Sequence, residues 1–360
     1  MNFDVLILGG GPAGTAAAIV LARYGLKVAV IERTAYDAPR IGETFPPEIC
    51  VPLQRLGVWE TFSRAGHLPS PGIVSCWGSS IPIENDFLFN PYGCGWHVDR
   101  PQFDRLLADA AQQQGASIFL ITAARRCYQD RAGWIVDAER NKESLRFSAV
   151  FVVDAAGRTL GPGWNKIQHI SYDRLIGIYG FFDLKEDRHP ADTRTIIESC
   201  REGWWYSAPL PDRRAVVAFM TDADLVPNPR LAANHYLERL RETGLTRCWL
   251  SSYSIPQSVS RFAANTYWRP AVAATRLAAG DAVMTFDPLS SQGVLKALNS
   301  GQAAAESVIS ARSGNQAAFQ EYIKALERSF QDYLLTRYKY YQVERRWPQS
   351  RFWQRRLNVG

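Results

Sequence analysis

The chain has 360 residues, enough for one large domain or two closely packed ones, and its 46% hydrophobic and 21% charged residues are typical of a globular protein. The net charge of +6 resides in residues 337–360, which hold seven Lys or Arg residues and one acid, so a high isoelectric point does not indicate nucleic-acid binding. No apolar run has the length of a membrane span, and six scattered cysteines and five scattered histidines argue against disulfides and metal binding.

The first element in the chain is a strand–turn–helix–strand unit. "DVLILGG" is a short apolar strand, "AGTAAAIVLARYG" is a helix of small residues that ends at Gly25, and "KVAVIER" is the next strand. The unit differs from a signal peptide because no basic residues precede the apolar run and Asp4 lies within it. We therefore expect a parallel sheet and a cytoplasmic protein.

The turn of this unit carries the pattern G-x-G-x-x-G between a strand and a helix, as a dinucleotide-binding site requires. The first glycine allows a tight turn, the second lets the backbone approach a pyrophosphate, and the third permits close helix–strand packing. An acidic residue at the end of the second strand is predicted to bind ribose hydroxyls and disfavours NADP. The residues predicted to contact the cofactor here are Gly9, Gly11, Pro12, Ala13, Gly14, Glu32 and Arg33. This unit alone leaves NAD and FAD open.

Further along, αβ segments alternate with segments of another composition. Residues 68–98 and 166–270 are rich in Trp, Tyr and Pro and show alternating patterns, which predict antiparallel strands. We predict an α/β fold in which a Rossmann-like nucleotide-binding domain of the glutathione-reductase type is interleaved with this β-rich substrate domain. The nucleotide-binding domain is predicted to comprise residues 1–67, 99–165 and 271–312, with a helical, basic-aromatic tail at 313–360.

The stretch "LAAGDAVMTFDPLSSQGV" at 277–294 places an acid and a Pro/Ser loop directly before a predicted helix. Together with "GGGPAG" and "DAAGR" at 154–158, it resembles the FAD-dependent hydroxylase and halogenase superfamily, which has the para-hydroxybenzoate hydroxylase type of fold. The resemblance implies FAD as the cofactor.

The resemblance also implies contacts to the second half of FAD. Gly280 and Asp281 are expected at the ribityl chain, and the N–H groups around Gly293 and Val294 at the edge of the flavin ring. Arg100 in "HVDRPQFDRLL" matches an arginine of the family that contacts FAD. Arg40 precedes a loop expected beside the flavin, and a solvated loop residue is the alternative for it.

Two further blocks resemble the halogenase-like branch: "IGETFPPE" at 41–48 and "GWWYSAPLP" at 203–211. Flavin halogenases of this branch use a lysine a few dozen residues after the G-E segment, whereas this chain has no lysine between Lys27 and Lys142. We therefore expect oxygen activation by the flavin, as in monooxygenases, rather than halogenation. Glu43 and Asp287 are the candidate general acids or bases, and each could equally be structural. The residues that could line a substrate cavity, or else belong to the core of the second sheet, are Trp204, Trp205 and Tyr206.

Several blocks, among them "FNPYGCGWHVDRPQFD" and the tail, resemble the flavoproteins that mature the cysteine tryptophylquinone cofactor of bacterial lysine and glycine oxidases. That resemblance implies a protein substrate, a tryptophan of an amino-acid oxidase precursor. Only one G-x-G-x-x-G is present, so NAD(P)H would bind transiently or a flavin reductase would supply electrons. A monooxygenase of small aromatic molecules and a flavin-binding maturation chaperone without turnover stay open. The Arg- and aromatic-rich tail is typical of a protein interface or of a helix packed on its own domain.

Overall fold

A computed structural model describes residues 1–159, 161–163, 168–186, 192–226, 232–270, 272–273 and 275–357. The strands are β1 (Asn2–Leu8), β2 (Val28–Ile31), β3 (Thr44–Phe45), β4 (Leu68–Ser70), β5 (Gly72–Cys76), β6 (Ile83–Asp86), β7 (Gly95–His97), β8 (Ser117–Phe119), β9 (Thr122–Gln129), β10 (Trp134–Arg140), β11 (Glu143–Asp154), β12 (Ile170–Ser171), β13 (Leu175–Asp183), β14 (Thr195–Cys200), β15 (Gly203–Pro209), β16 (Arg214–Asp222), β17 (Val259–Ala263), β18 (Tyr267–Trp268), β19 (Val272–Ala273), β20 (Arg276–Ala278) and β21 (Met284–Thr285). The helices are α1 (Pro12–Arg23), α2 (Cys50–Arg55), α3 (Trp59–Ser63), α4 (Arg100–Gln113), α5 (Ala232–Arg241), α6 (Leu245–Trp249), α7 (Gly293–Arg312), α8 (Ala318–Val343) and α9 (Arg351–Leu357).

The larger sheet is parallel at its centre, in the order β20-β11-β1-β2-β8, and is extended by the antiparallel strands β9, β10 and β19. The second half of β1, residues 5–8, and the whole of β2 consist of buried aliphatic residues, as expected for a sheet covered on both faces. Leu8 pairs with Ile31 on one side and with Asp154 on the other, so three strands end level at one edge. The predicted α/β class is confirmed, and this edge is where such sheets bind ligands.

Helices α1 and α7 cross in close contact because the residues at the crossing are small. A Cβ added to Gly301 would collide with the carbonyl oxygen of Ala13, and one added to Gly280 would lie 2.8 Å from the Ala13 Cβ. The crossing therefore brings the segment that follows β20 onto the start of α1. Two glycine-rich segments far apart in the sequence become neighbours.

The second sheet has seven strands in the order β17-β13-β16-β15-β14-β5-β6, and all its pairs are antiparallel except β14 with β5. Successive side chains of β15 point to opposite faces. Trp204 and Tyr206 share one hydrophobic cluster, whereas Trp205 belongs to another, where it stacks on Phe219 with ring centroids 4.9 Å apart. The division of the chain into domains stays a prediction, and its boundaries at 165–166 and 271 fall outside the described residues.

The tail is helical, as predicted, and it packs against the second sheet. Phe352 and Trp353 are fully buried, and the Trp353 indole N–H donates to the carbonyl of Cys200 at 2.9 Å. The Arg356 guanidinium is buried and pairs with Asp222 at 2.7 Å. The aromatic and basic composition of α9 thus reflects packing within the chain. Across the described residues, no helix has the length and apolar character needed to cross a membrane.

Candidate functional site

The glycine turn after β1 combines two tight contacts with one open position. An added Cβ would collide with the carbonyl oxygen of Ala155 at Gly9, where φ is +102°, and with the carbonyl oxygen of Gly9 at Gly14. At Gly11, which precedes the first residue of α1, an added Cβ would meet no atom within 4 Å. Pro12 and Ala13 open the helix there. The free N–H groups of the helix N-terminus are therefore accessible to a phosphate.

Glu32 lies at the end of β2 and its carboxylate is bound to the same turn. One oxygen accepts a hydrogen bond from the Gly10 N–H at 2.7 Å, and the other accepts from the Thr34 N–H at 2.9 Å. The residue is 5% exposed, so the carboxylate is held at the end of the strand next to the open turn. The neighbouring Arg33 is exposed.

Arg40 and Arg100 both donate to Asp104, a fully buried carboxylate that sequence reasoning missed. Arg40 Nη1 lies 2.9 Å from Asp104 Oδ2, and its Nη2 donates to Thr34 Oγ1 at 2.8 Å. Arg100 Nη2 lies 3.2 Å from Asp104 Oδ1, one helical turn away in α4. The i,i+4 spacing of Arg100 and Asp104 in a predicted helix is the pattern from which this ion pair could be predicted. The two arginines and Asp104 thus connect the segment that follows Glu32 with the loop that precedes β3.

This loop carries Glu43, whose carboxyl is almost completely buried. Arg100 Nη1 donates to the carbonyl of Ile41 at 2.7 Å and to that of Gly42 at 3.1 Å, which fixes the loop. The Gly42 N–H donates to Glu43 Oε2, and Glu43 Oε1 has no hydrogen-bond partner among the described residues. Burial raises the pKa of Glu43 to about 7, although the backbone hydrogen bonds and the charge of Arg100 oppose the shift.

The residue after Glu43 begins a hydrogen-bond chain to the second sheet. Thr44 Oγ1 lies 2.5 Å from the Tyr206 hydroxyl and 2.9 Å from His97 Nδ1. The other ring nitrogen of His97, Nε2, lies 2.8 Å from the carbonyl oxygen of Thr193. The sequence indicates Tyr206 but neither Thr44 nor His97, because these contacts join residues from separate strands and no local pattern connects them.

Asp281 lies beside α1 and α7, in the 3₁₀ turn that follows β20. Its Oδ1 accepts from the Lys296 ammonium at 2.6 Å, and its Oδ2 lies 3.8 Å from the Arg158 guanidinium. Burial opposes ionisation, but the charges of Lys296 and Arg158 hold the pKa of Asp281 below its ordinary value. The side chain is still 38% exposed, so its carboxylate is open to a ligand.

Helix α7 begins at Gly293 with its N-terminus facing solvent. Gln292 and Gly293 are exposed, Val294 is buried, and an added Cβ at Gly293 would meet no atom within 4 Å. The N–H groups of the first turn of this long helix therefore form a second open site for a negatively polarised group.

Asp287 contrasts with Glu43 because every polar atom of its carboxylate has a partner. Oδ1 accepts from the Leu289 N–H at 3.0 Å, and Oδ2 accepts from the Tyr341 hydroxyl at 2.8 Å and from Arg337 Nε at 3.2 Å. Tyr341 and Arg337 both belong to α8, so Asp287 fastens the loop before α7 to the tail.

These two open helix N-termini fit the two ends of FAD. The Gly11 turn with Glu32 suits a pyrophosphate and an adenosine ribose, and Asp281 with the start of α7 suits the ribityl chain and the flavin ring. A family model described as an FAD binding domain matches residues 2–159. A protein of Marinomonas mediterranea named as an FAD-dependent oxidoreductase, LodB, is 31% identical over 364 aligned residues, which cover 99% of this chain and 97% of LodB.

The chain belongs to the family of FAD-dependent oxidoreductases that includes LodB. It is a flavoenzyme, and FAD is its cofactor, so the prediction of FAD over NAD is confirmed.

Two solved structures have the same fold as this chain. The myxobacterial chondrochloren halogenase CndH superimposes with a TM-score of 0.90 at 21% identity, covering 99% of this chain and 87% of that one. QhpG, described as a peptidyl tryptophan dihydroxylase essential for tryptophylquinone cofactor biogenesis, superimposes with a TM-score of 0.81 at 22% identity, covering 99% and 79%. These structures confirm the predicted fold, and the FAD binding domain together with LodB confirms the predicted superfamily.

Proposed function

We propose that this LodB-type flavoenzyme is a monooxygenase that hydroxylates a tryptophan side chain of a partner protein, the precursor of an amino-acid oxidase, during tryptophylquinone biogenesis. The observation that carries the proposal is the Glu43 carboxyl. It is buried on the loop fixed by Arg100, it keeps one oxygen without a partner in the described structure, and its pKa is about 7. A group with this pKa can accept or donate a proton at neutral pH.

The proposal of a protein substrate is supported by similarity to other proteins rather than by the geometry of the site. LodB matches this chain over nearly its whole length, and QhpG, described as acting on peptidyl tryptophan, has the same fold. The blocks around Ile41–Glu48 and in the tail resemble the proteins that mature cysteine tryptophylquinone oxidases. An indole ring of a precursor is therefore the substrate that we assign to the site.

When bound and reduced, FAD would supply the two electrons for a reaction in which one atom of O₂ is added to the ring and the other leaves as water. The Gly11 turn, Glu32 and Asp281 would hold the cofactor, and Glu43 would accept the proton displaced from the ring carbon. We propose NAD(P)H or a flavin reductase as the electron source, since a single dinucleotide turn is present.

We propose Glu43 rather than Asp287 as the acid or base. Asp287 accepts hydrogen bonds from Arg337 and Tyr341 and caps the turn at Leu289, so a proton transfer there would break the attachment of α8. Glu43 Oε1 has no such partner to lose within the described residues. We do not assign Trp205 to the substrate site, because β15 turns it to the opposite face from Trp204 and Tyr206.

A flavin-dependent halogenase is the second candidate, because CndH has the same fold. The resemblance to halogenases requires a reactive lysine, and none lies between Lys27 and Lys142. Lys296 is buried in the site, yet its ammonium is bonded to Asp281 and, at 2.6 Å, to the carbonyl of Met284. Lys166 lies outside the described residues. We therefore favour hydroxylation.

The test is co-expression of an oxidase precursor with this chain, with the Glu43→Gln variant, or alone, followed by mass spectrometry of its tryptophan peptides. We expect added oxygen only with the wild-type chain. Unmodified tryptophan with every electron donor would contradict the proposal. Precursor binding without NAD(P)H oxidation would then identify a chaperone, and NAD(P)H oxidation stimulated by free aromatic compounds would identify a small-molecule enzyme.

A further inference from the structure

The hydrogen-bond chain from Thr193 to Tyr206 has a single possible direction, and its end sets that direction. A carbonyl oxygen can only accept, so His97 Nε2 must carry the proton that it donates to Thr193 at 2.8 Å. In a neutral imidazole the other nitrogen, Nδ1, is then a bare acceptor. Thr44 therefore donates its hydroxyl proton to Nδ1 at 2.9 Å.

The environment keeps this imidazole neutral. His97 is fully buried, and burial lowers its pKa to about 4, although the bond to the Thr193 carbonyl opposes the shift. A doubly protonated ring, which would reverse the chain, is therefore absent at neutral pH. The tautomer follows from the hydrogen-bond partners.

The direction determines what Tyr206 can offer to a ligand. Since Thr44 donates its own proton to His97, its oxygen must accept from Tyr206, across 2.5 Å. The phenolic proton of Tyr206 is thereby committed to Thr44. The Tyr206 oxygen keeps only lone pairs for any other neighbour, so it acts as an acceptor and not as a donor.

Tyr206 is connected to the loop that carries the proposed acid or base. Its hydrogen-bond partner Thr44 directly follows Glu43, and the charge of Glu43, after burial, contributes to raising the pKa of Tyr206 well above its ordinary value, which also keeps the phenol neutral. The chain ends at a carbonyl, which cannot pass a proton on. Its effect is therefore to orient Tyr206 rather than to conduct protons.

We propose that Tyr206 is a specificity-determining hydrogen-bond acceptor for a ring N–H, as an indole carries, with Thr44 and His97 as positioning residues that fix its polarity. The proposal rests on the proposed function, which places an indole at this site. An indole N–H would be satisfied by the Tyr206 oxygen. A ring with an acceptor atom at that position would instead face the lone pairs of the Tyr206 oxygen, and this buried acceptor atom would have no hydrogen bond.

The experiment compares binding of indole with binding of benzofuran, which has nearly the same shape but an oxygen in place of the N–H. Dissociation constants are measured with FAD-loaded protein by the change in the flavin absorption spectrum, so no turnover is needed. We expect the wild-type protein to bind indole about tenfold more tightly than benzofuran. Equal affinities for the two probes, or binding of neither, would overturn the proposal.

Three variants separate recognition from structural damage. Tyr206→Phe removes the acceptor, and Thr44→Val frees the Tyr206 hydroxyl to turn toward the ligand, so both should bring the ratio of the two constants close to one. Thr44→Ser keeps the chain and should restore the wild-type ratio. A purely structural role would weaken both probes equally and leave the ratio unchanged, which would also overturn the proposal. The ratio is independent of whether an oxidase precursor is modified, so failure of the proposed function is distinguishable.

Discussion

Lys296 donates a hydrogen bond to Asp281 across 2.6 Å from the first turn of α7, and its side chain is 4% exposed against 38% for the carboxylate. The buried ammonium thus holds the more open carboxylate in its charged form at the position where the ribityl chain is predicted. The pair combines a structural and a binding role, which a substitution can separate.

Asp281→Asn keeps the shape of the side chain but removes the charge and one acceptor. We expect FAD affinity to fall about tenfold, since hydrogen bonds to a charged group are among the stronger ones. The measurement is the flavin content of the purified protein, from its visible absorbance. The exposed Asp332→Asn serves as control. Undiminished flavin in Asp281→Asn would remove this residue from the cofactor site.

Gly11 and Gly14 should respond differently to the same substitution. An added Cβ at Gly11 meets no atom within 4 Å, so Gly11→Ala should fold with nearly wild-type stability yet obstruct the pyrophosphate. At Gly14 the Cβ would collide with the carbonyl of Gly9, so Gly14→Ala should lower the free energy of unfolding by a few kcal/mol (about 2–3) even without FAD. Denaturant unfolding of the FAD-free proteins and titration with FAD check both. Equal stability losses would contradict the assignment of Gly11 to the cofactor.

Asp104→Asn should destabilise the protein because two arginines lose their shared partner. Breaking a buried ion pair typically costs about 3–5 kcal/mol, and the exposure of Arg40, at 28%, places the expected loss near the lower value. Urea unfolding measures the change. Asp109→Asn, on the exposed face of the same helix, is the matched control. A stability equal to that of the control would show that the network contributes nothing.

The parts of the site that the sequence predicts are those encoded by local patterns. The Gly9–Gly14 turn and Glu32 at the end of β2 each follow from a short run of residues whose secondary structure is unambiguous, whereas Asp281 before α7 follows from the resemblance to the FAD-dependent superfamily. Asp104 was accessible through its i,i+4 relation to Arg100 but carries no motif of its own.

The remaining contacts depend on tertiary pairing. Tyr206 meets Thr44 across 162 positions of the chain, a relation that no window of sequence contains. The opposite orientation of Trp205 follows from strand alternation only once β15 is placed in the sheet. Asp287 is engaged by the tail through Tyr341, so its role could be judged only after α8 was positioned.

Trp353→Ala tests whether the tail is part of the folded core. Its ring is fully buried between Trp347 and Phe352, so truncation should reduce the free energy of unfolding by about 3–5 kcal/mol. Tyr340→Ala, at a position with 60% exposure on α8, should leave stability nearly unchanged. Thermal unfolding of both variants is the measurement. If Trp353→Ala were as stable as the control, the aromatic tail would be free to serve as a partner surface.

Glu43→Gln should change the pH dependence of stability in a defined direction. The pKa of Glu43 is about 7 in the folded protein against 4.5 as its ordinary value, so between these values the unfolded chain releases a proton that the folded protein retains. The free energy of unfolding of the wild-type protein therefore falls by about 3 kcal/mol as pH rises from about 4.5 to 7, and Glu43 causes no further decrease above pH 7. The neutral amide of the Glu43→Gln variant avoids this loss.

The free energy of unfolding of Glu43→Gln minus that of the wild type should therefore be larger at pH 8 than at pH 5, and urea unfolding at both pH values measures it. Glu60→Gln, whose side chain is 84% exposed, should give a curve parallel to the wild type. A parallel curve for Glu43→Gln as well would mean that its carboxyl is ionised in the folded protein at neutral pH, and Glu43 would then be a poor choice for the acid or base.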